Sequence, residues 1–255
     1  MKTIDARMGL TWIQEGFTLF RKRPFLLTNL FIAYFLAMMI VGSFPLIGAI
    51  VPPLIAPSFS VFFLQAINDV SEERPFSFSH GFAVFNKTVI RRLFALGGLY
   101  FLAAGIAVYL SSFVDGGIFM RAMGGEQFEV QFLLESNFRE AFMVAVILNF
   151  VALLLFWFVA PLIAWKNMPV GQSLFYNFFT ILRTWKAFIV YLLGLVLVGF
   201  FLPMLLNMLI MIALGRNIGL FFLFSLLMVV AVLVYCSFYS MYIYVFGKPT
   251  PVTEA

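Results

Sequence analysis

Few residues in this chain are of a type that does chemistry, and their spacing works against it. His80 is the single histidine, and its nearest acidic neighbours in sequence are Asp69, Glu72 and Glu73. A metal centre there would need those carboxylates to complete it, and no HExxH pair exists. Ser79 stands beside His80, but a hydroxyl and an imidazole adjacent in sequence are not a triad. Cys236, the lone cysteine, excludes an intramolecular disulfide and a multi-cysteine metal site and reads as a small core residue. An intramembrane aspartyl site needs two facing aspartates, whereas Asp69 and Asp115 are expected at opposite membrane faces. Neither a Walker motif nor a dinucleotide glycine pattern is present. No enzyme is expected, and neither a metal nor a cofactor.

What remains is polar without charge. Tyr235, Tyr239 and Tyr242 recur at i, i+4 and i+7, which puts them on one helix face. Asn149 and Asn207 are the most polar residues deep in two other apolar tracts. If those tracts meet, the five line a polar seam. Otherwise they are an aromatic belt and two interhelical hydrogen bonds.

The elements that position these residues follow from composition. Apolar residues make up 64% of the 255-residue chain and charged residues 11%, against about 45–50% and about 25% in soluble proteins. So few charges do not cover a water-soluble surface of this size; the solvent is lipid. The fold class is all-α, an integral membrane protein. Tracts of about 20 apolar residues, the length that crosses a bilayer, lie at 25–44, 46–66, 93–113, 141–165, 187–214 and 218–246. None holds an Asp, Glu, Lys, Arg or His. That argues against a proton-coupled pump with an acidic relay. A six-span domain over 25–247 is thus expected, with 1–24 before it and a tail at 248–255. The polar residues Thr11, Gln14, Glu15 and Thr18 interrupt the N-terminal stretch. It is expected to be retained, not cleaved as a signal peptide.

With both termini inside, 13 of the 16 Lys and Arg residues fall on the cytoplasmic side, the bias that sets topology. The net charge of +5 therefore points to anionic lipid headgroups and not to nucleic acid. Arg21, Lys22 and Arg23 are the first anchor, with Arg91, Arg92, Arg183 and Lys186 at later span entrances. Trp12, Trp165 and Trp185 are expected at the same interface. Residues 9–20 alternate at helical period between an apolar half (Gly9, Leu10, Trp12, Ile13, Gly16, Phe17, Leu19, Phe20) and a polar half. Such a helix lies in the headgroup plane or packs on its own protein.

That pattern recurs. Stretches beginning at Pro75 and Pro169 each run through aromatic residues to a basic pair and then a span. GFTLF at 16–20 and GFAVF at 81–85 match closely. Either the chain holds three helical-hairpin repeats, each led by a cytoplasmic-side amphipathic helix, or basic-flanked hairpins simply share this look. Gly98, Gly105 and Ser112 recur every seven residues on one face of the third span, a stripe suited to close helix packing. Pro52, Pro53, Pro57, Pro161 and Pro203 interrupt helical hydrogen bonding; they either kink packing elements or break helices around a cavity. The acidic, glycine-containing 114–140 loop is expected to be solvated, with 128–134 dipping into the outer interface.

The opening Trp12-x-x-x-Gly16-Phe17-x-Leu19-Phe20-Arg21-Lys22-x-Pro24, followed by a hairpin punctuated by Pro45, Gly48 and Pro57, resembles a family of uncharacterised multi-pass inner-membrane proteins of proteobacteria. The resemblance implies an all-helical fold and an inner-membrane location, and no activity. More distantly, the arrangement is similar to the membrane regions fused to some glycerophosphodiester phosphodiesterases, whose catalytic carboxylate and histidine cluster is absent here. Two functions follow as expectations: a non-enzymatic protein that organises or binds lipid or a membrane partner, or a facilitator of an apolar or lipid-like solute.

Overall fold

The computed structural model describes residues 5–44 and 47–249. Lys2, the turn residue Pro45, the start of the second span at Leu46 and the tail from 250 onward lie outside these. The described residues form twelve α-helices and one π-helical segment, and no strand is found among them. Six helical stretches are long and apolar enough to cross a membrane.

Helix α1 (Met8–Lys22) ends at Arg23, whose φ/ψ of −146°/65° breaks the helix, and Pro24 opens α2 (Pro24–Gly42). Proline is tolerated there because a first-turn N–H has no intrahelical partner. Helix α3 (Ile47–Ser71) returns, and its second half is the hub of the bundle: every residue from Phe63 to Val70 is buried. Its end carries a left-handed residue, Glu73 at φ 58°, with Arg74 N–H donating back to Asp69 C=O at 2.9 Å. This closes the last turn as a Schellman cap. A five-residue helix α4 (Phe78–Phe82) precedes α5 (Lys87–Asp115), which Asn86 caps by accepting from the N–H groups of Thr88 and Val89 at 3.0 and 2.9 Å.

Two short helices, α6 (Ile118–Met123) and α7 (Val130–Glu135), fill the next loop. Asp115 accepts from Gly117 and Phe119 N–H across the left-handed Gly116-Gly117 turn. Val130 and Leu134 of α7 are exposed. Helix α8 (Phe138–Phe156) breaks at Trp157-Phe158 and continues as α9 (Val159–Lys166). Helix α10 (Val170–Val196) runs through the π-helical Leu197–Phe201 into α11 (Leu202–Leu214), and α12 (Arg216–Phe246) completes the bundle. The wide π turn stands just before Pro203, which would leave the carbonyl four residues earlier without a donor.

The three sequential hairpins, α2–α3, α5–α8 and α11–α12, each pack on themselves. Their leading elements differ. The first is a separate 15-residue helix, the second has five residues, and the third is the front half of α10 with no break before its span.

Several sequence expectations need correction. The apolar half of α1 is divided: Gly9, Trp12, Gly16 and Leu19 are buried against α10 and α12, while Leu10 and Phe17 remain exposed. Two glycines one heptad apart permit that approach. A Cβ at Gly16 would stand 2.5 Å from the Ser237 backbone, and one at Gly9 would collide with Ala187 C=O. Trp12 and Trp165 are core residues, 0% and 6% exposed; only Trp185 of the three is exposed. The stripe of Gly98, Gly105 and Ser112 does not pack either, since Gly98 and Gly105 have open space where a side chain would go. Gly97 makes the close contact instead, against the Leu54 backbone of α3. One residue is a 100° turn of the helix, enough to move a stripe from a partner to lipid.

Candidate functional site

Besides the polar loop between α5 and α8, polar side chains gather in two regions, one at the end of the bundle where α3 finishes and one within the spans. At the bundle end, Lys22 Nζ lies 3.1 Å from Glu73 and 3.4 Å from Ser71 C=O, joining α1 to the end of α3. Lys248 pairs with Glu72 and brings the end of α12 to the same place. That hydrogen bond and the lysine's charge hold the Glu72 carboxyl below its ordinary pKa. Arg92 donates to both the backbone and side-chain oxygens of Asn167, at 2.8 and 2.7 Å. Asn167 adopts φ 51°, a left-handed conformation that asparagine tolerates.

Asp69 is fully buried, with His80 Nδ1 2.8 Å from its carboxylate and Arg74 Nε at 3.5 Å. His80 is thus tied to the Asp69 carboxylate. No group of three His, Cys, Asp or Glu side chains suited to a metal occurs among the described residues. Of the seven basic residues singled out in the sequence, Lys22 and Arg92 serve these intrachain contacts. Arg21, Arg23, Arg91, Arg183 and Lys186 are exposed and have no carboxylate in ion-pair reach among the described residues. Arg21 and Lys186 lie over the rings of Phe17 and Trp185 at 5.9 and 5.7 Å. Ala187, next to Lys186, lies against Gly9 at the start of α1, while Arg21 stands in the last turn of that helix and Arg23 just beyond its end.

Within the spans, the five seam residues separate. Tyr235 and Asn149 line one cavity of about 460 Å³ together with Pro57, Ser60 and Tyr100. Tyr239 points elsewhere, donating to Asn68 Oδ1 of α3 at 2.7 Å. Tyr242 packs on Trp165, and its hydroxyl is buried without a partner among the described residues. Among the described residues Asn207 makes only a 3.4 Å contact, with Met211 Sδ on its own helix, and its Oδ1 has no partner there. An i, i+4, i+7 set spans an arc of the helix, and here three different neighbours divide that arc.

Sequence reasoning missed four buried polar residues that organise this bundle. Gln65 accepts from Trp165 Nε1 at 3.0 Å, and Tyr191 pairs with Ser237 at 2.9 Å beside Gly16. Asn177 of α10, fully buried, inserts its amide into the break between α8 and α9. Its Oδ1 accepts from Phe158 N–H at 2.9 Å, and its Nδ2 donates to Leu154 and Leu155 C=O at 3.0 and 2.7 Å. In an unbroken helix the Phe158 N–H would pair with Leu154 C=O, and Leu155 C=O with the Val159 N–H. The available signal was Pro161, which leaves Trp157 C=O without its helical donor and so marks a break at this point.

The fold and its polar interior thus define a six-span integral membrane protein with a basic end and a small intramembrane cavity. The chain is 33% identical over 259 residues to a probable inner membrane protein of Burkholderia thailandensis, with 97% of this chain and 94% of the relative covered. It belongs to that family of multi-pass inner-membrane proteins. No family model matches the chain, and no solved structure does.

Proposed function

We propose that this protein is a non-enzymatic inner-membrane component that binds anionic lipid headgroups, or a membrane partner presenting similar acidic groups, through the basic end of its bundle. The observation that carries the reading is the set of five exposed cations, Arg21, Arg23, Arg91, Arg183 and Lys186, with no carboxylate partner among the described residues. Each basic residue near an anionic surface contributes about 1 kcal/mol. The same charge bias supports a cytoplasmic location for both termini. A C-terminal reporter found outside would refute that topology.

The test is extraction in native lipid particles followed by mass spectrometry of the retained lipids at low and high salt. The wild type is expected to retain phosphatidylglycerol and cardiolipin above bulk composition, less so at 1 M salt, where the screening length falls to about 3 Å. The five-fold Gln variant at these positions is expected to retain bulk lipid only. Equal enrichment in both would refute the reading. A co-purifying protein lost in the variant would assign the basic end to a partner. The second reading, a facilitator of a lipid-like solute, is favoured by one observation, the cavity between the spans.

A further inference from the structure

We propose that the cavity between α3, α5, α8 and α12 binds one uncharged, chain-bearing amphiphile whose head presents carbonyl oxygens. This deepens the lipid-binding reading and rests on it only for the membrane setting. The space is about 460 Å³ and lined mostly by apolar and aromatic side chains, within the range of small-molecule sites. It holds a head and the first carbons of a chain, not a whole diacyl lipid.

Three observations select the head. First, no Asp, Glu, Lys, Arg or His is among the lining residues. A charged headgroup there would lack a counter-charge at a depth where one charge costs about 2.5–3.5 kcal/mol. Second, the polar groups share the one cavity: Ser60 of α3, Tyr100 of α5, Asn149 of α8 and Tyr235 of α12 all line it. Third, Asn149 is exposed although it sits in the middle of a span. Its Nδ2 donates once, to Ala145 C=O of its own helix at 2.9 Å, leaving the second N–H and the Oδ1 without a partner among the described residues. An amide facing hydrocarbon unpaired is costly, and a ligand carbonyl supplies the missing acceptor. Tyrosine hydroxyls donate to the same kind of oxygen. The rings of Tyr100 and Phe156, 4.9 Å apart and tilted by 37°, give an aromatic wall for a ring or a chain. A membrane quinone and a diacylglycerol share this chemistry, a neutral head with carbonyl acceptors on an apolar chain.

The experiment uses the full chain in phosphatidylcholine nanodiscs, with Trp185→Phe to lower background fluorescence. Decylubiquinone is titrated against Trp157, which lines the cavity. Dioctanoylglycerol and phosphatidylglycerol are then added as competitors, and native mass spectrometry counts the adducts. Saturable quenching by decylubiquinone with one adduct per chain assigns a quinone. One saturable adduct of dioctanoylglycerol without quinone quenching assigns an ester lipid. In either case Asn149→Leu/Tyr235→Phe is expected to weaken binding at least ten-fold and Ala152→Phe, which fills the space, to abolish it. The proposal is overturned if neither neutral probe saturates, if both variants bind as well as the wild type, or if phosphatidylglycerol displaces the probe. The five-fold Gln variant of the basic end is expected to bind the neutral probe normally, so the two proposals fail separately.

Discussion

Replacing Asn177 by leucine should cost more than any other single polar-to-apolar change in the spans. Leucine is close in size, so the change removes hydrogen bonds without opening a large void. Three bonds are lost; the Phe158 N–H and the Leu155 carbonyl are left in an apolar setting, while the Leu154 carbonyl keeps the Trp157 N–H at 3.4 Å. Side-chain hydrogen bonds within membrane proteins average about 0.6 kcal/mol and reach about 1.7. Three of them give a loss of about 2–5 kcal/mol, consistent with about 1–3 kcal/mol for each buried group left unpaired. For a chain of this size that is a fall in Tm of about 4–20 °C, at about 2–4 °C per kcal/mol. The assay is thermal unfolding in mild detergent, followed by Trp fluorescence. Asn149→Leu is the control, because its one bond is to its own helix; its change should stay within about 0.5 kcal/mol. If Asn177→Leu unfolds with the wild type, or Asn149→Leu falls further, the assignment of Asn177 as the splint of the broken span is wrong.

Two further outcomes are expected. Gly16→Leu should destabilise by about 1–3 kcal/mol as α1 is forced off Ser237, whereas Gly98→Ala, which enters open space, should leave Tm unchanged; equal effects in the same melt would refute the packing of α1. The Glu72 carboxyl, held below the ordinary glutamate value of 4.5 by the hydrogen bond and charge of Lys248, contributes its contact above that pH and loses it as pH falls through the lowered value. Its carboxyl carbon resonance should therefore titrate below 4.5 and move back toward 4.5 in Lys248→Met, and an unmoved titration would exclude the pairing.

Composition and hydropathy along the chain were enough to give the all-helical class, the six spans and the basic flanks. These properties concern single segments meeting their solvent. Lipid accepts only long apolar helices with satisfied backbones, so each span is legible without knowledge of its neighbours. Which face of a helix meets which neighbour is a different matter. In lipid the buried and exposed faces are equally apolar, so periodicity does not separate them. That is why the stripe through Gly98 was legible as a packing face while Gly97 makes the contact, and why α1 carries its tryptophan into the core and not along the headgroups. It is also why the seam divides: Tyr235 and Asn149 open on the cavity, while Tyr239 turns to Asn68. The partners of Asn177, Gln65 and Asp69 lie 19 or more, 100 and 11 residues away in sequence. The sequence by itself determined the solvent, the class and the segments; only the tertiary structure decided which polar groups met, because pairing within the membrane is set by the geometry of helix contacts and not by hydropathy.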